Sequence, residues 1–507
     1  MANPRCPHSR HVSSSITWGG LRPSRAVVAR ASLVLVATLT ACARFQRYTP
    51  APLAEPSVER FLHRNLDDST VQQFLSAQNA SDVAEGWTPQ QLALAALFFH
   101  PALREQVAAV HLARAAEVTA NALQDVTASA EVSRANRTDE GKSTPWSVSL
   151  TSGLTFETGG KRAARRARAR ALTLAATLRL QSEAWRIGAV TTTQASVHAI
   201  GADREMDDAE REHTALSALL TLVRARYGEG RVTLADVAQA ESDERLALVA
   251  AVEIRRMRTV ARLQVARSLS VPLRAVDSLA LRIDGFPPCD PRASVDFDSL
   301  GALALRTRYD MGAALADYAV AEGDMRVEIA RQYPDLTIGP GIAWDQGILR
   351  WILSLSTPGF LRSLNKGPIA EARARRAAQA ARVETTQDSI LIAVDSAAAA
   401  CRGASRAAEA TRALVAAAAQ SLRIVQASYA RGETGRTEVA FARVAMLRAT
   451  RSQHAAEQRM VEASAAFVSA LGAWPAGGPR WPDLISLTTL TDTASPVPDT
   501  HIDRPRE

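Results

Sequence analysis

The sequence predicts a mainly α-helical fold with a few short β-strands, built from two copies of one helix–strand–strand–helix unit. The first observation is a repeat: residues 226–241 (RYGEGRVTLADVAQAE) recur 202 positions later as residues 428–443 (SYARGETGRTEVAFAR). The second is the absence of proline from residues 161–227 and 369–429, which favours two very long helices. The third is the alternation of apolar and polar residues at 146–157, which has the two-residue period of a strand.

The N-terminal residues 1–41 are predicted to be a signal peptide, because a basic stretch precedes the short apolar run 31–39. That run is too short to span a bilayer core of about 30 Å as a permanent helix. The tetrapeptide LTAC resembles a bacterial lipobox, which makes Cys42 the predicted site of lipid attachment; a plain signal peptide is the alternative. Removing the five arginines of this segment lowers the formal charge from +8 to +3, so the mature chain has no global charge excess for nucleic acid.

The first repeat is assigned to residues 87–271, after an extended segment at 42–86. Its elements are predicted in this order: a helix opening at 92–103, strands at about 127–136 and 146–157, a helix from 161, a tip turn at 227–238 and a returning helix. At 1.5 Å per residue, a helix of about 60 to 65 residues reaches roughly 90 to 100 Å. Such a helix is too long for an ordinary globular domain.

The second repeat is assigned to residues 297–473, with the same order of elements. Its strands are predicted at about 334–344 and 349–357 and its tip turn at 429–440. A linker at 272–296 separates the repeats, and the Pro-rich tail 474–507 is predicted to be disordered.

The first returning helix has a broad apolar stripe. One row consists of Ile254, Met257, Ala261 and Val265, and the row beside it of Leu246, Val249, Val260 and Leu263. A long helix buries such a stripe only against other helices. An antiparallel coiled-coil hairpin and a closed ring of helices fit this pattern equally well.

Two of the predicted strands have a clear apolar face. In the first repeat that face consists of Trp146, Val148, Leu150, Leu154 and Phe156, and in the second of Trp351, Leu353 and Leu355. The adjacent helices run away lengthwise and cannot cover it, so we expect transmembrane β-strands with a lipid-facing side. In lipid every backbone group must be paired, which requires a closed barrel. Four strands cannot close one, whereas three copies of the chain would supply twelve.

A basic stretch follows strand 146–157 directly: Lys161, Arg162, Arg165, Arg166 and Arg168. At the end of a membrane strand, long basic side chains can extend towards lipid phosphates. A solvated charged helix face is the alternative interpretation for the individual arginines.

The residues indicate neither an enzyme nor a metal site. Cys289 and Cys401 are either free thiols or one bridge, and the nine histidines form no pair at metal-ligand spacing. No nucleophile–base pair, phosphate loop or paired-carboxylate motif is present. We therefore predict no catalytic residue, no metal and no cofactor.

The duplicated unit, the two Tyr-x-x-Gly turns and the lipobox together resemble the TolC-like outer-membrane factor family, over about residues 88–473. The segments GGKRAARR and PDLTIGPGIAWDQG, with NKGPIAEARAR, are similar to the branch associated with heavy-metal or other cation efflux. The resemblance implies a homotrimer in the outer membrane of a Gram-negative-type envelope. Its twelve-stranded β-barrel would be continuous with a periplasmic tube of twelve helices.

The resemblance also assigns the two tip turns to the periplasmic end that docks with a membrane-fusion adaptor. The residues that fall at the adaptor-contacting positions are Tyr227, Gly230, Arg231, Tyr429, Gly432 and Glu433. From the residues alone, Gly230 and Gly432 are turn formers that need a positive φ. The family's other partner is an inner-membrane pump of the RND or ABC type.

Asp236 and Glu438 lie one turn into the returning helices, at the positions that would surround the narrowest part of the bore. Six carboxylates in a trimer would repel one another and attract cations; helix N-terminal acids favoured by the macrodipole are the alternative. Val232 and Thr434 stand where the family places a gating arginine, and Gln239 and Phe441 where it places a further acid. We therefore expect no identical salt-bridged closure, with Arg231 or Arg436 as substitute partners.

The resulting hypothesis is a passive export duct for small solutes, metal cations or drugs, driven by a separate pump. Two alternatives stay open: a lipid-anchored periplasmic coiled-coil scaffold that conducts nothing, and a type I secretion duct for polypeptides.

Overall fold

The computed structural model describes residues 58–80, 85–137, 144–283, 297–357 and 365–472, with single positions between these ranges. The predicted signal peptide, Cys42, most of the linker after 283 and the tail 474–507 lie outside the described residues. The residues from Val58 onwards belong to one compact unit.

The described elements follow the predicted order. The helices are α1 Val58–Leu62, α2 Ser69–Ala77, α3 Pro89–Phe99, α4 Pro101–Asn121, α5 Lys161–Trp185, α6 Thr193–Gly228, α7 Leu234–Leu269, α8 Phe297–Thr307, α9 Tyr309–Ala330, α10 Lys366–Ala430 and α11 Arg436–Ala470. The strands are β1 Thr127–Arg134, β2 Trp146–Phe156, β3 Leu336–Asp345 and β4 Ile348–Ser356. A one-turn 3-10 helix at Leu273–Ala275 follows α7.

The four strands form one antiparallel sheet in the order β1-β2-β3-β4, so β2 of the first repeat pairs with β3 of the second. The register aligns apolar residues across the sheet. Leu150, for example, lies opposite Ala130 on one side and Ile342 on the other. Because opposite residues share a face, this alignment produces one continuous apolar face. Most of its members are exposed in the chain, up to 84% for Trp351 on the edge strand β4.

The other face of the sheet is polar and crowded. Ser129 and Thr151 share a hydrogen bond of 2.6 Å, and Thr155 and Thr337 one of 3.1 Å. Gly153, Gly339 and Gly341 lie on this face, and a Cβ at any of them would collide with the neighbouring Thr127, Ser354 or Thr151. Small residues on one side of a strongly curved sheet fit the inside of a narrow barrel.

The helices pack side by side, and helices of the first repeat lie next to helices of the second, as β2 lies next to β3 in the sheet. Near the sheet, α5 packs between α4 and α9, and α9 packs against α10. Towards the tip turns, α6 packs between α7 and α11, and α11 packs along α10. The chain is therefore a layer of neighbouring helices joined lengthwise to a four-stranded sheet.

The long helix of the first repeat differs from the prediction of one uninterrupted α-helix. A π-helical segment, Arg186–Thr192, joins α5 to α6. The hydroxyls of Thr191, Thr192 and Thr193 donate to carbonyl oxygens five residues earlier, at distances of 2.8–3.1 Å. These bonds and Gly188 support the wider turn. The equivalent helix of the second repeat, α10, is continuous over 65 residues.

The apolar stripe of α7 is divided by the packing. Ile254, Ala261 and Val265 are buried as predicted, whereas Met257 is half exposed. The second row, represented by Leu246 and Val249, is exposed. Within one chain, three residues of the first row are thus covered, and the burial of Met257 and of the second row stays a prediction for an assembly of several copies.

The two repeats have cores of unequal size. The first has a large apolar cluster in which α3, the π-helical segment and the end of α7 meet, with Leu92, Leu180 and Leu269 almost inaccessible to solvent. The second has a small cluster around Ile390 and Val394. Among the described helices, none combines the length and apolar character needed to cross a bilayer.

Candidate functional site

Both tip turns reverse the chain with the same backbone geometry. In the first, Gly230 has φ +70°, its N–H donates to Tyr227 O at 2.9 Å, and the N–H of Arg231 donates to Arg226 O at 2.9 Å. In the second, Gly432 has φ +78° and repeats these two bonds. This is a Schellman helix end, in which a residue with positive φ lets the last carbonyl groups accept hydrogen bonds. The two predicted turn glycines are therefore placed where only a positive φ closes the turn.

After the reversal, the first turn starts the returning helix with a capping box. Thr233 accepts from the Asp236 N–H, and the Asp236 carboxylate accepts from Thr233 N–H at 2.8 Å and from its hydroxyl at 2.7 Å. These two bonds from Thr233 lower the pKa of Asp236 below its usual value. Asp236 is exposed, and its carboxylate is engaged locally.

The second turn uses its acid differently. Gly435 stands where the first repeat has Thr233, and it provides no side-chain cap. Glu438 instead accepts from Arg226 at the end of α6, with Nη1 to Oε1 at 2.8 Å. The Arg226 guanidinium holds the pKa of Glu438 below its usual value. A side chain at 435 would occupy the space of this pair, since a Cβ there would lie 2.6 Å from Arg226 Nη2.

The structure therefore brings the two repeats together at the tip through an arginine that sequence reasoning missed. Neither expected substitute pairs with Glu438: Arg231 pairs with Glu229 at 3.3 Å, and Arg436 donates to the Tyr429 hydroxyl at 3.1 Å. The repeat gave no indication that Arg226 has a role, because the equivalent residue of the second repeat is Ser428. Its partner lies 212 residues away.

The remaining predicted tip residues lie on the outside of the turns. Tyr227 and Tyr429 are both exposed, at 46% and 40%. Glu433 pairs with Arg431 at 2.7 Å, which lowers the pKa of that carboxylate. The surface of the tip thus contains two tyrosines and two arginine–glutamate pairs, Arg231 with Glu229 and Arg431 with Glu433.

At the N-terminal end of α5, most side chains of the predicted basic stretch form ion pairs or hydrogen bonds within the chain. Lys161 pairs with Asp335 at 2.7 Å, Arg165 with Glu157 and Arg168 with Asp324. Arg162 donates to the Asn121 carbonyl at 2.6 Å. These side chains tie α5 to its neighbours within the chain, and their contact with lipid phosphates stays a prediction.

Cys289 and Cys401 form a disulfide. This decides between the two possibilities that the sequence left open. The bridge attaches the segment before α8 to the middle of α10, against Ala463 of α11. Within the described ranges, no group of three or more His, Cys, Asp or Glu side chains is arranged to hold a metal ion.

Comparison with known proteins identifies the second repeat. Residues 300–473 match the family model described as Outer membrane efflux protein. This part of the chain is similar to outer membrane efflux proteins. The match confirms the resemblance to the TolC-like outer-membrane factor family, and the heavy-metal branch stays a prediction. No curated protein sequence matches the chain.

Solved outer-membrane channels have the same fold. The outer membrane protein VceC from Vibrio cholerae is 18% identical with a TM-score of 0.60, and the match covers 80% of this chain and 99% of VceC. The CmeC outer membrane channel of Campylobacter jejuni is 13% identical with a TM-score of 0.61, covering 88% and 97%. The open-state MtrE outer membrane channel of Neisseria gonorrhoeae is 20% identical with a TM-score of 0.54, covering 76% and 89%. The predicted fold class, mainly helical with short strands in duplicated units, is confirmed.

Proposed function

We propose that this protein is the outer-membrane channel of a tripartite efflux system, working as a passive homotrimeric duct. The observation that carries the proposal is the sheet: an exposed apolar face, a polar opposite face, and edge strands β1 and β4 at its two ends. In lipid the apolar face is favourable, whereas unpaired strand edges are not. Pairing β1 of one copy with β4 of the next satisfies both conditions, and three copies close a barrel of twelve strands.

The helices support the same assembly. The edge helix α7 exposes an apolar row that includes Leu246, Val249 and Leu263. An exposed stripe of this length on a helix is normally covered by another helix. In a trimer, the stripe would meet the edge of the next copy and continue the helical tube below the barrel.

Transport in this proposal requires no chemistry from the chain. A continuous water-filled bore lowers the barrier for a polar solute to cross lipid, while a separate inner-membrane pump of the RND or ABC type supplies the energy. The exposed Tyr227 and Tyr429, with Gly230, Arg231, Gly432 and Glu433, form the surface that we assign to the periplasmic adaptor. Lipidated Cys42 would anchor the chain, and small solutes, metal cations or drugs would be the cargo.

At the tip, Asp236 and Glu438 would form a ring of six carboxylates in the trimer. Both have lowered pKa values, so they remain charged at neutral pH. Asp236 would favour cations at the constriction, whereas the charge of each Glu438 is offset by Arg226. The Arg226–Glu438 pair would hold the second hairpin, α10–α11, against the first, α6–α7, and so keep this opening narrow.

A pair of neighbouring substitutions on β4 tests the membrane assignment. Leu353 is 77% exposed on the apolar face, and Ser354 is the next residue and points to the other face. We expect Leu353→Asp to abolish heat-modifiable trimers in outer membranes, because a charge on the lipid-facing side is unfavourable. Ser354→Asp should leave trimers intact and change only the conductance of the purified channel in planar bilayers.

The opposite result would support the scaffold interpretation. A mature chain that purifies as a water-soluble monomer without detergent, with both β4 variants behaving alike, would overturn the proposal.

For the constriction, Asp236→Asn with Glu438→Gln should reduce selectivity for cations over anions. Unchanged selectivity would remove these two residues from the bore.

A further inference from the structure

Towards the tip turns, the two repeats meet where α6 packs against α11, and this contact is lined by ion pairs. We call it the α6–α11 seam. Four of its pairs join an arginine to a carboxylate: Arg448 to Glu212 at 2.8 Å, Arg451 to Glu212 at 3.1 Å, Arg451 to Glu205 at 3.3 Å and Arg204 to Glu457 at 3.6 Å. Arginine and carboxylate both stay charged between pH 5 and 8, so these pairs are constant in that range.

Two further pairs of the seam contain histidine. His454 of α11 lies 2.6 Å from Asp208 of α6, between Nδ1 and Oδ2, and His198 of α6 lies 3.6 Å from Glu462 of α11, between Nδ1 and Oε1. Both histidines border one cavity of about 330 Å³. The Asp208 side chain is only 7% exposed and that of His454 26%, so this pair is the better shielded of the two.

Other charged groups surround the two pairs from every neighbouring helix. Near His454 and Asp208 they are Arg204, Glu205 and Arg211 of α6, Arg256 of α7 and Arg451 of α11. Near His198 they are Arg186 of the π-helical segment, Glu205 of α6, Arg267 of α7, Arg459 of α11 and His100 before α4. The Glu462 carboxylate favours the protonated form of His198.

Protonation of His198 turns its contact with the Glu462 carboxylate, across the seam, into an ion pair. An unperturbed imidazole titrates near pH 6.5, and the neighbouring Glu462 carboxylate raises the pKa of His198. A raised pKa in the folded state stabilises the contact fully below about pH 6.5. That stabilisation is lost as the pH rises through the raised value.

We propose that the α6–α11 seam is a pH-responsive contact, in which His198 and His454 bind the second hairpin more tightly to the first when the surrounding medium becomes mildly acidic. The arginine pairs maintain the seam at every physiological pH, and the histidine pairs adjust its strength. Its link to the opening of the tip rests on the proposed function, whereas the contact itself can be measured without transport.

The test uses hydrogen exchange of α11 amides in the purified full-length protein at pH 5.5, 6.5 and 7.5, corrected for intrinsic exchange rates. In the wild type, we expect protection near 454–462 to fall by about two- to fivefold per pair as the pH rises. The double variant His198→Gln with His454→Gln should lose this dependence and match the wild type at pH 7.5.

The chain offers a matched control in His213, which lies 2.9 Å from Glu244 but joins α6 to α7 inside one hairpin. His213→Gln should leave the pH response of α11 unchanged. A pH response that persists in the double variant, or that disappears in the His213→Gln control alone, would overturn the proposal.

Conductance in planar bilayers tests whether the seam acts on the tip, separately from the pH response of the seam itself. Greater wild-type conductance at pH 7.5 than at pH 5.5, absent from the double variant, supports the link between seam and tip. No conductance at any pH would refute the channel while leaving the exchange result valid. Equal conductance at both pH values would show that the seam does not act on the tip.

Discussion

Position 233 in the first repeat is a threonine, and the equivalent position 435 in the second is a glycine. The turns that precede them are alike down to their hydrogen bonds. Thr233 binds the acid that follows it, so Asp236 is used within its own helix, whereas Gly435 leaves Glu438 free to reach Arg226. One side chain at a helix start therefore decides whether a duplicated acid acts locally or joins the two repeats.

The same contrast is found in the middle of the long helices. Ala199 lies in the large apolar cluster of the first repeat, and its counterpart in the second repeat is Cys401, which forms the disulfide. The first repeat is stabilised mainly by its own packing and capping. The second depends more on links to distant parts of the chain, and this difference can be tested in four ways.

The largest effect is expected from removing the disulfide, in the double variant Cys289→Ser with Cys401→Ala. The bridge joins residues 112 positions apart, and closing a loop of 100 residues is worth about 4.7 kcal/mol in the chain-entropy model. We expect a lower thermal midpoint in detergent and loss of protection in α10. The wild type with reductant should behave like the variant, and a variant as stable as the oxidised wild type would contradict the contrast.

The next effect concerns the apolar core of the first repeat. Leu269 is fully buried, and a Leu→Ala change at such a site costs about 2–5 kcal/mol. Leu471 is its counterpart in the second repeat and is only partly buried, so Leu471→Ala should cost clearly less. Chemical denaturation of both variants checks this, and equal losses would mean that the repeats share their packing more evenly than their burial indicates.

A smaller effect is expected at the first tip turn. Thr233→Ala removes the cap of α7 and should destabilise its first turn by about 1 kcal/mol, seen as faster exchange of amides 234–237. The converse change, Gly435→Thr, should displace the Arg226–Glu438 pair and create a local cap for α11. If Gly435→Thr keeps the pair, as judged by unchanged exchange at the end of α6, the glycine is not what makes the link between repeats possible.

The smallest effect is the pH dependence of the Arg226–Glu438 pair, since Glu438 is 42% exposed and solvent screens the interaction. Its lowered pKa means that the pair contributes above the ordinary glutamate value of about 4.3 and is lost as the pH falls through the lowered one. Exchange at the tip should therefore rise only in acid below about pH 4.3. Glu438→Gln should remove that step, and a step that remains in this variant would assign it to another group.

Much of the fold was predictable because it depends on local periodicity. The alternation at 146–157 and 349–357 and the absence of proline from the long helices correspond to β2, β4 and α10 in the structure. The turn glycines were predictable too, since a positive φ is a local requirement. The apolar stripe of α7 was predictable as well, but the stripe alone does not tell how much of it is covered within one chain.

The links between distant parts of the chain could not be predicted. The Arg226–Glu438 and His454–Asp208 pairs join residues more than 200 positions apart, and no pattern in one segment specifies its partner in another. The disulfide was undecided for the same reason. The π-helical segment had only a weak signal in the sequence: Gly188 and, three residues later, a run of three threonines. The sequence does not show that their hydroxyls donate to carbonyl oxygens five residues earlier.

The pairing of β2 with β3 also has a consequence for biogenesis. Ser147 lies opposite Asp345, so the middle of the sheet cannot form until nearly two hundred further residues have been synthesised and exported. Pairings between such remote segments close slowly, and during the delay the apolar residues of β2 have no neighbour on that side. The nascent polypeptide should therefore need a holding chaperone in transit, and it should be most prone to aggregate before β3 emerges.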